Sequence, residues 1–215
     1  MPAEFPENIK QYLTTLEQWM THYGFSPLGV EPNWLFDKGF KRERTEATKF
    51  GKASTYCFIK YASESYDAKK YRIFSNESFN YALNIRTGNP LGLGAMLIVY
   101  PLLIVDKISN ELLTETKIYL NKHFAANEFP VILDMSSGDI HFYPSTPMWG
   151  ALYYNGFRKE VFELYSPKSW RNRAGGSKKL FIVPKWILTQ RVPGNGKNVI
   201  KIKKSCSLEQ LFTNN

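Results

Sequence analysis

Leu91-Gly92-Leu93-Gly94-Ala95-Met96-Leu97-Ile98-Val99-Tyr100-Pro101-Leu102-Leu103-Ile104-Val105 is the stretch on which the fold turns. Apart from two glycines, Tyr100 and Pro101 it is wholly apolar, and it ends at Asp106. A bilayer-spanning helix needs about 20 apolar residues; this run is shorter and holds a proline. It predicts one or two fully buried strands broken at Pro101, and membrane contact is not expected. Gly88-Asn89-Pro90 in front of it reads as a tight turn. With no Walker lysine and no helix predicted to follow, the glycines do not make a phosphate loop.

Upstream, Ala53 to Tyr61 predicts a strand with Thr55, Cys57, Ile59 and Tyr61 on one face, and residues 70–86 read as further strand material in partial alternation. Ile9, Tyr12, Leu13, Leu16, Trp19, Met20 and Tyr23 recur at three- and four-residue steps, which predicts an amphipathic helix from Glu7 to Tyr23 closed by Gly24. Downstream, Ser109 caps a helix over 110–124, a hairpin spans 131–143, and Thr146-Pro147 opens a third helix that ends before Pro167. The expected fold class is α+β: a mainly antiparallel sheet of hairpins with about three helices. Residues 1–167 form the core domain, and 168–215 form a basic loop and β-hairpin packed on it or extending it.

That C-terminal segment carries the strongest functional signal. Residues 168–204 hold eleven Lys or Arg and no Asp or Glu, in a chain whose net charge is +9, so the remainder of the chain is slightly acidic. Trp170 to Lys179 reads as a charged loop, Leu180 to Arg191 as an edge strand interrupted at Pro184, and Val199 to Lys203 as the return strand after Pro193-Gly194-Asn195-Gly196. Lysine-rich outer strands can serve only to block edge aggregation. A solvated face usually mixes its signs, however, and aromatic residues among unopposed cations suit a strand of nucleic acid, whose bases stack while its phosphates pair. The expected contacts are Trp170, Arg171, Arg173, Lys178, Lys179, Lys185, Trp186 and Lys197. A second, mixed patch at 37–52 (Lys38, Lys41, Arg42, Arg44, Lys49 and Lys52 against Asp37, Glu43 and Glu46) would widen that surface if the fold joined the two.

Two constellations raise catalysis. A two-residue turn at Ser137-Gly138 would set Asp134 opposite His141, a carboxylate–imidazole pair of the kind general bases and metal ligands use. The same register gathers Leu133, Met135, Ile140 and Phe142 on one apolar face. Asp106 followed by Glu115-Thr116-Lys117 has the residue types of a magnesium-dependent nuclease, set against a helical reading of 110–124. His22 and His123 read as structural, Cys57 as a buried inert thiol, and no cofactor or metal site is expected.

Three functions follow from these residues: a non-enzymatic binder of RNA or single-stranded DNA, largely independent of sequence; a metal-dependent nuclease or other phosphodiester hydrolase using Asp134 and His141; or an interaction protein docking an acidic protein or anionic surface. The first accounts best for the charge. An N-terminus without a cationic start or apolar run, and two cysteines far apart, Cys57 and Cys206, predict a cytoplasmic setting.

Overall fold

A computed structural model of the chain describes residues 5–29, 35–46, 51–62, 66–148 and 153–174. In chain order the elements are α1 (Glu7–His22), β1 (Ser26–Pro27), β2 (Lys38–Glu46), β3 (Gly51–Ala62), α2 (Ala68–Ile85), β4 (Ala95–Val105), α3 (Asn110–Ile118), β5 (Ala126–Glu128), β6 (Val131–Asp134), β7 (Asp139–Phe142), α4 (Tyr154–Tyr165) and α5 (Pro167–Ala174). The strands form one mixed sheet in the order β1-β2-β3-β4-β6-β7, with β5 also against β4.

The apolar run is the centre of that sheet. Even-numbered Ile98, Tyr100, Leu102 and Ile104 face one core, packed by α1, α4 and α5. Odd-numbered Leu97, Val99, Leu103 and Val105 face the other, packed by α2 and α3. Burial on both faces removes any need for alternation, which is why the segment reads as continuous hydrophobe. The pairings of β4 with β3, β5 and β6 are all parallel, and antiparallel pairing is confined to the flanks. The α+β class holds, but the centre is parallel where hairpins were expected.

Nor does Pro101 break the strand. Leu97 N–H donates to Ala125 O and Val99 O accepts from Phe129 N–H, so odd residues of β4 turn their backbone groups toward β5 and β6. The missing donor of Pro101 points the same way, between the rungs to β5 at 97–99 and those to β6 at 102–105, where Phe129-Pro130 interrupts the facing chain.

Residues 70–86 are helix, not strand. Asp67 caps α2 by accepting Lys70 N–H at 2.7 Å. The buried Tyr71, Phe74, Ser75, Ser78, Phe79 and Ala82 recur at helical spacing, while Ile73 and Leu83, which suggested alternation, are exposed. At the end of α1, Gly24 adopts φ +78°, with Gly24 N–H on Thr21 O and Phe25 N–H on Met20 O. This pair of bonds is the Schellman closure that a glycine at this place permits.

Pro167 does not begin a loop. It opens α5, whose Trp170 indole is fully buried, stacked 5.2 Å from Tyr12 and 6.2 Å from Trp19. The core therefore continues through α5 and past residue 167. No helix among the described residues is long and apolar enough to cross a membrane.

Candidate nucleic-acid interface

Tyr23, at the end of α1, is where the two basic segments meet. Its carbonyl accepts Arg44 Nη2 at 2.9 Å and Arg42 Nη1 at 3.4 Å, both from β2. Its hydroxyl accepts from Arg173 of α5, whose guanidinium also lies 5.7 Å from the centre of the Tyr23 ring. Three guanidinium groups from two segments remote in sequence, β2 and α5, thus converge on one tyrosine.

They do not play one part. Arg42 is buried over the Phe25 ring, 4.2 Å from its centre, and pairs with Glu160 of α4. Glu160 also accepts the Tyr100 hydroxyl at 2.7 Å. This is a structural tie between β2, β4 and α4. Arg44 and Arg173 are exposed. Arg173 is partly balanced by Glu163 at 2.7 Å, and Arg44 faces no carboxylate among the described residues. An anion arriving at Tyr23 therefore meets two accessible guanidinium forks on a fixed base.

Of the residues expected to touch nucleic acid, Trp170 is corrected: its indole is in the core, its Nε1–H is bonded to Glu163 O at 3.1 Å, and no base can stack on it. Arg171 is half-buried, with Nε and Nη2 shielded and without a hydrogen-bond partner among the described residues. Lys168 pairs with Asp139 at 2.5 Å. Lys178, Lys179, Lys185, Trp186 and Lys197, with the C-terminal hairpin, lie outside the described residues.

The Asp134–His141 pair does not form in the expected register. Asp134 stands opposite Asp139, and His141 opposite Ile132. The physical cause is local: Asp134 Oδ1 accepts both the N–H (2.9 Å) and the hydroxyl (2.7 Å) of Ser136, and Gly138 N–H closes on Asp134 O. The turn is thus four residues long, with Gly138 at φ +68°. The register moves by two, which keeps parity, so Leu133, Met135, Ile140 and Phe142 still share the expected apolar face. His141 Nε2 is buried and has no partner among the described residues.

The other candidate also comes apart. Residues 110–118 are helical, Glu115 is buried against Arg72 (Nε–Oε1 2.5 Å), and Asp106 accepts the Tyr61 hydroxyl at 3.2 Å. Among the described residues no group of three or more His, Cys, Asp or Glu side chains is arranged to hold a metal. The Cys57 thiol is fully buried, and burial pushes its pKa up to about 12, so it is no nucleophile at neutral pH.

Sequence reasoning missed the junction at Tyr23, because neither residue 23 nor the spacing of Arg42, Arg44 and Arg173 marks it. Comparison with protein-family models, curated proteins and solved structures finds no match to the chain.

Proposed function

We propose that the protein binds single-stranded nucleic acid, RNA or DNA, without cleaving it, through a basic surface that starts at Tyr23 and draws on the acid-free segment 168–204. The observation that carries this reading is the convergence of Arg44 of β2 and Arg173 of α5 on one tyrosine. The charge comes from a strand, β2, and from the end of a short helix, α5. Phosphate contacts from arginine forks and lysine ammonium groups suit a strand held largely without regard to sequence.

Fluorescence anisotropy with labelled single- and double-stranded DNA and RNA across a salt series tests it. Affinity is expected to fall log-linearly with salt and to be highest for single strands. Each phosphate contact on a single strand adds about 0.7 to the slope, so Arg44→Ala with Arg173→Ala should lower it by about 1.4. An unchanged slope removes Tyr23 from the surface. Binding to none of the four polymers at low salt sinks the reading and leaves an acidic protein or anionic vesicles as the polyanion to try. Magnesium-dependent decay of the signal would put the hydrolase reading in its place.

A further inference from the structure

A cleft of about 330 Å³ opens at the end of the sheet, by the N-terminal ends of β4 and β5. It lies within the roughly 300–1,000 Å³ typical of small-molecule sites. Gly92, Met96, His123, Phe124, Asn127 and Tyr153 are among its walls, and the described residues that line it include no Lys, Arg, Asp or Glu.

Two polar side chains and one aromatic ring frame it. Asn127 is only 8% exposed, and its carboxamide has no hydrogen-bond partner among the described residues. A buried amide left open to a cleft offers one donor and one acceptor side by side. His123 stacks on Phe79 with ring centres 3.7 Å apart and planes 17° from parallel, and its Nε2 lies 3.0 Å from Glu128 Oε2. That carboxylate is fully buried and also accepts from Ser75 Oγ, Tyr119 O–H (2.8 Å) and Asn121 Nδ2 (3.0 Å). Burial raises the Glu128 pKa, but these four hydrogen bonds together outweigh it and hold the carboxyl below its usual range. A carboxylate can only accept, so the His123 nitrogen that faces it, Nε2, carries a proton, and Nδ1 is the nitrogen left for a ligand.

Phe124 supplies the third element. It is 84% exposed, and Gly92 lies beneath it at φ +84°, where a Cβ would come within 2.6 Å of the ring. The glycine lets the phenyl ring settle against the 91–94 loop while leaving its outer face open. An exposed aromatic plane beside an unpartnered amide and an imidazole nitrogen suits a planar ring with hydrogen-bonding groups along its edge.

We infer that this cleft is a nucleobase-binding site: the base stacks on Phe124 and presents its edge to the Asn127 carboxamide and to Nδ1 of His123, with Glu128 positioning the imidazole. The base can belong to a free nucleoside or to a strand held at the basic surface. Only the second source rests on the nucleic-acid reading above.

The test is isothermal titration of the full chain with adenosine, cytidine, guanosine and uridine, beside anisotropy with a ten-nucleotide strand and its abasic counterpart. At least one nucleoside is expected to bind, and Phe124→Ala, which alters an exposed residue, should weaken it roughly five- to 150-fold, the range of one stacked base. Asn127→Ala should change the preference among the four bases. If the strand proves to be the source instead, the abasic strand binds more weakly than the normal one by a similar factor, and Phe124→Ala erases that difference. Strand binding that is equal for the two polymers, with no nucleoside bound, overturns the cleft and leaves the basic surface standing. Nucleoside binding lost in Phe124→Ala, with no strand bound, upholds the cleft and fells the strand reading. Binding of neither overturns both.

Discussion

Glu160 on one face of the sheet and Glu128 on the other are held in different ways. On the α1–α4 face Glu160 is locked to Arg42, whose side chain is 5% exposed, and to the Tyr100 hydroxyl. Charge meets opposite charge there, and Trp170 closes the layer between Tyr12 and Trp19. On the α2–α3 face Glu128 has no Lys or Arg partner among the described residues. Its anion is held by two hydroxyls, an amide and one imidazole, and that imidazole borders a cleft. A carboxylate matched by an arginine fixes a fold. One held by hydroxyls, an amide and an imidazole instead fixes the orientation of that ring.

Trp170→Ala should break the closed face most severely. Removing a fully buried indole costs about 4 kcal/mol, read by urea unfolding. A loss below about 1 kcal/mol would mean that α5 is not part of the core.

Arg42→Ala comes next, at about 3 kcal/mol, because it strands the largely buried Glu160 without its cation. Arg42→Met with Glu160→Met should recover at least half of that loss, since an apolar pair of similar volume removes the stranded charge along with its partner. If the double variant is no more stable than the single one, the tie is worth more than its charges.

On the open face, Glu128→Gln should cost about 2 kcal/mol at neutral pH, because an amide turns an N–H toward groups that are themselves donors. The sign of its pH dependence follows from a folded pKa held below the unfolded value of about 4.3. The stabilisation is complete above about pH 5 and is lost as pH falls through the folded pKa. The stability gap between the natural chain and the variant should therefore be flat from pH 6 to 8 and shrink below about pH 4. A gap that widened in acid would show the Glu128 carboxyl to be raised instead, and the donor set wrongly drawn.

Much of this frame could be read directly. The α1 stripe, the β3 face and the buried run at 91–105 follow from spacing alone. The strand direction was carried by the same run, since a strand without alternation is covered on both faces and so tends to be parallel. Asp67 with the Tyr71–Phe74–Ser78 spacing likewise held the signal for α2, which a few alternating aromatics obscured. In the 131–142 hairpin the apolar face was legible because it depends on parity. The register was not, because Asp134 and Ser136 set it through a bond between side chains. The sites were least legible. Tyr23, Arg44 and Arg173 meet only through tertiary packing, and His123 with Glu128 gains its meaning from Ser75 and Tyr119 on other elements.

The exposed pair of Lys168 with Asp139 separates stability from binding at the smallest scale. The two side chains are 38% and 49% exposed, so their attraction is largely screened and Asp139→Asn should change stability by less than about 1 kcal/mol. Lys168 begins the acid-free segment, and Asp139 is the carboxylate that holds its charge on the protein. Releasing it gives a bound strand one more cation, so Asp139→Asn should tighten oligonucleotide binding by less than tenfold and steepen the salt slope by up to about 0.7. Tighter binding with an unchanged slope would trace the gain to general charge rather than to a phosphate at Lys168. A loss of stability well beyond about 1 kcal/mol would make this pair, like Arg42 and Glu160, part of the closed face.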